Sequence, residues 1–393
     1  MLVIGILVVM LLFMADSYEQ SFKPKYIEEV NIDKLAAQYR TFHNDYPSIV
    51  VQKSSKPYKL EIDFQPLPKK VKLAYGEKTI EEWVEDFVIT GLAVSSQGKL
   101  VFEDYYRGNS ASSQSVAFST TKSIVSALCG IAVDDGLIES IEDPIDKYVP
   151  LLVGSGYEGV SIKDILQMSS GVKFDEYDGS KDSEISKFIE ALTEGSLDEY
   201  VASISKEGEA GKIWNYQSIN TQALTMLLRE VTNMGLNEYL QEKIWEPSGM
   251  EFDAYFRVDK YGVEMASGYF TWPLRDRVRF GLLYLNKGQL NDNQILSKEW
   301  VKASHTPDAE HISASEENLK MGYGYQFWLP LEDNGDGDYL AIGVRGQFIY
   351  INPKYESVIA TSAAFPSDGA DEYGLYVYQM IEVFRDISRH YSR

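Results

Sequence analysis

The chain has 393 residues, is 44% hydrophobic and 13% aromatic, and carries a net charge of −22. That apolar content suffices for one large domain with insertions or for two packed halves, and the acidity, with no basic run, excludes a nucleic-acid partner. A single cysteine, Cys129, rules out an intrachain disulfide and a multi-cysteine metal site.

Residues 1–14 are apolar or Gly and carry no side-chain charge. A helix of that length spans about 20 Å, short of a ~30 Å hydrocarbon core, and suits the apolar stretch of a signal peptide. It lacks the usual basic flank, and Phe13-Met14-Ala15 is a poor cleavage site, so an uncleaved anchor is an equal reading and a buried helix a third. Residues 1–15 are therefore expected to be a signal or anchor, which makes the protein exported, periplasmic or membrane-attached; without that role it is cytoplasmic.

Residues 16–75, punctuated by Pro24, Pro47, Pro57, Pro66 and Pro68, read as an extended arm wrapped around a catalytic domain over 76–393. Thr79-Ile80-Glu81-Glu82 is a capping box opening a short helix. Leu92-Ala93-Val94 and Leu100-Val101-Phe102 read as paired strands around Gln97-Gly98. From Ser119 a sustained apolar pattern (Ile124, Val125, Ala127, Leu128, Ile131, Ala132, Val133) predicts a buried helix, with Gly136 just past its end. Cys129 lies on its apolar side as a core residue. Further helices are predicted after Ser161, over Thr221–Val231 and over Asp276–Leu285. Strands return at 339–344, 348–351 and 357–362, and an amphipathic helix closes the chain. The expected fold is α+β, an α/β sandwich: an antiparallel sheet built from both chain ends and flanked by helices, with a mostly helical lobe inserted over roughly 120–320. A ligand would enter between lobe and sheet.

No Gly-x-Ser-x-Gly elbow, complete P-loop or dinucleotide fingerprint is present, and His43, His305, His311 and His390 form no His-Glu-x-x-His pattern. Neither cofactor nor metal is expected. What remains is Ser-x-x-Lys, which puts hydroxyl and amine on one face of a helical turn, where the amine can accept the hydroxyl proton. Four such matches occur: Ser96/Lys99, Ser119/Lys122, Ser170/Lys173 and Ser203/Lys206. The first sits in a strand-to-strand turn, the second-last at a helix exit, and the last in a charged stretch. Only Ser119 leads into a buried helix, although taken alone it reads more readily as a plain N-cap. Downstream, Tyr216-Gln217-Ser218 follows Trp214, and Gly343-Val344-Arg345-Gly346-Gln347 reads as part of a strand. Tyr-x-Ser also occurs at Tyr46 and Tyr355, so only the order of the three motifs around a helical lobe is distinctive.

In that order the chain resembles the serine β-lactamase/penicillin-binding-protein superfamily in its class C-like branch, most of all 6-aminohexanoate-oligomer hydrolases and related esterases. Supporting segments are 118–123, Asp143-Pro144 with Tyr148-Val149-Pro150, 165–172 and 322–328. The resemblance covers about residue 75 to the C-terminus. It implies Ser119 as nucleophile, Lys122 as base alone or with Tyr216, and Tyr216 as proton donor to the leaving group. It implies an oxyanion held between the N–H groups of Ser119 and Gln347, with Gly346 letting the backbone approach the substrate. Two departures bear on the substrate. Ser218 stands where β-lactamases place Asn, and a hydroxyl does not replace an amide's paired donor and acceptor. Val344-Arg345-Gly346 replaces Lys-Thr-Gly, so that Arg345 is left as a candidate for a substrate carboxylate. The expected reaction is cleavage of an ester or small linear amide. The alternatives are a β-lactamase or D-Ala-D-Ala carboxypeptidase, and a catalytically silent binding protein on the same fold.

Overall fold

The computed structural model describes residues 30–73, 76–315, 321–331, 335–366 and 370–392. The apolar segment 1–14 lies outside the described residues. Among the described residues no helix is long and apolar enough to cross a membrane.

The central sheet has eight strands: β1 (Glu61–Ile62), β2 (Ile89–Ser96), β3 (Lys99–Tyr105), β4 (Gly322–Tyr323), β5 (Trp328–Leu329), β6 (Tyr339–Gly343), β7 (Gln347–Asn352) and β8 (Ser357–Ala363). Their spatial order is β4-β5-β6-β7-β8-β2-β3-β1. All pairs are antiparallel except β1 against β3. The early hairpin β2–β3 and the late meander β6–β8 thus join at the β8–β2 seam, as expected for a sheet assembled from both chain ends. Every residue of β2, β7 and β8 is buried, which needs a helical layer on each face. Alternation sorts the side chains. Leu92, Val94, Phe348, Tyr350 and Ile359 pack on one side with Tyr376, Met380 and Phe384 of the closing helix (Ala370–Tyr391). Ala93, Ile349, Ile351, Val358 and Ala360 pack on the other with Val278 and Phe280 of the helix Leu274–Leu285 and with the lobe.

The lobe is organised around two helices, α1 (Thr121–Asp134) and α2 (Ser218–Thr232). In α1 every residue from Thr121 to Ala132 is buried, so the helix is apolar almost all round and forms the lobe's centre. Cys129 is fully buried there. Gln326 ties the layers together. Its carbonyl accepts from Ser123 Oγ at 2.7 Å, its side-chain oxygen accepts from Thr221 Oγ1 at 2.8 Å, and its amide donates to the Leu166 carbonyl at 2.7 Å.

The N-terminal arm departs from the extended course expected of it. Residues Ile32–Asp45 form a helix capped by Asn31, burying Ile32 and Ala36 at i, i+4 spacing. Ser48–Val51 then pairs antiparallel with Ala254–Arg257 of the lobe. The prolines that suggested an extended chain bracket this helix without entering it.

Candidate active site

Ser119 lies in a short 3₁₀ turn, Phe118–Thr120, that feeds directly into α1. Phe118 takes a positive φ of 46°, a conformation that costs a bulky residue of order 1–3 kcal/mol and is held by its surroundings. Those surroundings are aromatic: Tyr39 of the arm and Tyr269 of the lobe both pack edge-on against the Phe118 ring.

One turn into the helix, the Lys122 side chain is 1% exposed. Its Nζ donates to Ser119 Oγ at 2.8 Å, to Ser218 Oγ at 3.1 Å, and to the carbonyl of Ser267. Burial pushes the ammonium down to about 8, against an opposing pull from Glu176. The Tyr216 ring centroid lies 5.1 Å from Nζ. Its phenol shares a hydrogen bond with Ser119, and burial raises it well above the ordinary tyrosine value. Tyr216 therefore keeps its proton at neutral pH, and the group poised to lose one is Lys122.

Glu176 completes the cluster from a loop to which no sequence motif assigns a role. Ser218 is the first residue of α2, so its N–H has no partner inside the helix. The Glu176 carboxylate supplies one: Ser218 N donates to Oε2 at 2.7 Å and Ser218 Oγ donates to Oε1 at 2.5 Å. Loss of water raises the Glu176 carboxyl above the usual range, while Lys122 and Ser218 pull it back. Nothing local to residue 176 signals that it reaches α2, 42 residues later.

A wall of rings closes one side. Tyr216 lies 5.4 Å from Trp328 and 6.3 Å from Tyr323 between centroids, and Trp214 packs 5.5 Å from Trp328. Trp328 and Tyr323 come from the two strands nearest the sheet edge, so sheet and lobe each contribute half of the wall.

The late segment differs from its expected form. Residues 344–346 are a hairpin turn between β6 and β7, with Arg345 at φ 65° and Gly346 at φ 88°. Arg345, the candidate for a substrate carboxylate, thus sits in a turn, and its Nη1 donates to the Pro366 carbonyl at 2.9 Å. A Cβ on Gly346 would fall 2.4 Å from Tyr376 Oη and 2.5 Å from Ala363 Cβ. That glycine is thus required by packing against the closing helix, where close approach to a substrate had been expected. Gln347 pairs with Gly343, and its side chain is engaged by Arg277 at 3.0 Å and by the Ala363 carbonyl at 2.7 Å. The residue beside Ser119 is Gly343, where a Cβ would stand 2.3 Å from Ala117 O and 3.1 Å from Ser119 N. Ser218, the residue that stands where β-lactamases place Asn and that is therefore a candidate for contacting substrate, turns inward to Lys122 and Glu176. Among the described residues no group of three or more His, Cys, Asp or Glu could hold a metal ion.

A model of the Beta-lactamase family matches residues 78–375. A 6-aminohexanoate-dimer hydrolase of Paenarthrobacter ureafaciens is 26% identical over 335 residues, covering 82% of this chain and 84% of its own. A Bacillus anthracis protein assigned as a 6-aminohexanoate-dimer hydrolase superposes with a TM-score of 0.81 at 22% identity, over 91% of this chain and 94% of its own. A family VIII carboxylesterase superposes at 0.57 with 15% identity, over 76% and 92%.

Proposed function

Because this chain belongs to the Beta-lactamase family, we propose that it is a serine hydrolase that cleaves an ester or small linear amide through an acyl-enzyme on Ser119. The observation that carries this reading is the 2.8 Å contact between Lys122 Nζ and Ser119 Oγ, inside a pocket whose burial pushes the amine down to about 8.

Neutral Lys122 takes the Ser119 proton as Oγ attacks the carbonyl carbon. The O–H bond breaks, the N–H and C–O bonds form, and negative charge moves to the carbonyl oxygen. Tyr216, neutral and hydrogen-bonded to Ser119, gives its proton to the departing amine or alkoxide and regains one from Lys122. Water then attacks the acyl-enzyme by the same steps in reverse order, with the same base. The oxyanion is placed at the Ser119 N–H, with a second donor from the adjoining Gly343–Val344 peptide. The Gly343 carbonyl accepts from Tyr373 Oη at 2.6 Å, so in a trans peptide the Val344 N–H points the opposite way. Such donors contribute about 3 kcal/mol each to the transition state.

The relative from Paenarthrobacter ureafaciens supports an amide substrate. The absence of the Lys-Thr-Gly ammonium and of the Tyr-x-Asn amide speaks against efficient β-lactam turnover. The test is a fluorophosphonate probe together with a panel of short-chain esters, oligoamides and a chromogenic cephalosporin. Labelling and turnover should vanish together in Ser119→Ala. Labelling that survives in Ser119→Ala, or a cephalosporin turned over as fast as the best ester, would overturn the reading.

A further inference from the structure

The hydrogen-bond directions around Lys122 are determined by a residue that does not touch it. Ser218 has one hydroxyl proton, and that proton goes to Glu176 Oε1 at 2.5 Å, with the adjacent N–H locking the carboxylate through Oε2 at 2.7 Å. Toward Lys122, 3.1 Å away, Ser218 Oγ can therefore only accept. The Ser267 carbonyl can also only accept. A protonated Lys122 has three N–H groups for three acceptors: Ser267 O, Ser218 Oγ and Ser119 Oγ. A neutral Lys122 has two, and both are claimed by the acceptors that have no proton to give. Its lone pair is left facing the hydroxyl that does, Ser119.

We propose that Glu176 is a positioning residue which, by committing the Ser218 hydroxyl, aims the lone pair of neutral Lys122 at Ser119. This rests on the Ser-Lys reading above. The other polar groups facing Lys122 are Ser119 on its own helix, the Tyr216 phenol, and the Ser267 carbonyl on the segment that continues to Tyr269. Asp175 and Tyr177 flank Glu176 in its loop and act on it. Glu176 is the carboxylate that acts on Lys122. It thus has two separable effects: its charge favours the protonated amine, and its hydrogen bond orients the neutral one.

The experiment measures kcat/KM against pH with a p-nitrophenyl ester for wild type, Glu176→Gln, Glu176→Asp, Ser218→Ala and the Ser218→Ala/Glu176→Gln pair, with thermal unfolding of each. In Glu176→Gln the acid limb should move about one pH unit lower, since a neighbouring opposite charge is lost, and the plateau should fall about tenfold. Glu176→Asp should keep the limb near its wild-type position. Glu176→Gln should lower the plateau in the wild-type background but not when Ser218 is already Ala, because the hydroxyl that transmits the effect is gone. A plateau loss in Glu176→Gln with an unmoved limb, or an equal loss in both backgrounds, would overturn the inference. Failure of wild-type Ser119 to be labelled would instead sink the Ser-Lys reading, a separate result.

Discussion

Tyr39 meets Phe118 edge to face, with 5.3 Å between ring centroids, so a residue of the N-terminal arm braces the strained turn that carries Ser119. Phe42, from the same helix, stacks on Tyr269 at 5.2 Å. Tyr269 in turn packs against Phe118. The arm, residues 16–75, lies wholly outside the matched family segment, which begins at residue 78, yet it supports the site.

Tyr39→Ala should therefore damage activity more than stability. An aromatic pair contributes about 0.5–1.5 kcal/mol beyond its buried area, a shift of a few degrees in Tm. Misplacing a nucleophile by an ångström can lower turnover about a hundredfold. Thermal unfolding and kcat/KM on the same preparation decide the matter. Equal kcat/KM with lowered Tm would confine the arm to a structural role.

The reaction should speed up with pH. Below its pKa Lys122 is a cation and cannot accept the Ser119 proton, so kcat/KM should climb through about pH 8 and level off above it. Lys122→Arg should remove the climb with the activity, since a guanidinium stays protonated over that range. A flat profile from pH 6 to 9 would argue against a lysine base.

Tyr216→Phe deletes one oxygen from a ring packed among Trp214, Tyr323 and Trp328. The fold should survive. Turnover of amides and alkyl esters should drop about 10²–10⁴-fold, the range for a lost general acid. A p-nitrophenyl ester, whose leaving group needs no proton, should suffer much less. Uniform losses across all three substrates would contradict a proton-donor role.

The two glycines of the late hairpin should separate. Gly343→Ala thrusts a methyl against the Ala117 carbonyl and toward Ser119 N, so besides lowering Tm it should weaken a boronic-acid transition-state analogue about a hundredfold, which Gly346→Ala should not. Gly346→Ala forces φ 88° on alanine and collides with Tyr376 and Ala363, so its main effect should be a lower Tm. Urea denaturation and inhibitor binding on both variants make the comparison, and identical patterns would show that neither position belongs to the oxyanion site.

Much of this protein was written locally. The Ser119–Lys122 contact follows from i, i+3 spacing on one helix, and any sequence that forms the helix brings the pair together. The Thr79 capping box, the hairpin about Gln97-Gly98, the late meander and the closing helix were legible for the same reason: turn chemistry and apolar periodicity act over a few residues. The sandwich followed from strands at both ends of the chain. Tertiary structure alone decided what surrounds the amine. Glu176 reaches Ser218 across 42 residues, and the Ser267 carbonyl reaches Lys122 across 145. It also decided that Gly343 stands beside Ser119 and Gly346 against a helix, because a turn at 344–346 reverses the chain within a segment that reads locally as strand. Short-range preferences set which groups can act; the directions in which they point depend on contacts that exist only once distant segments have packed.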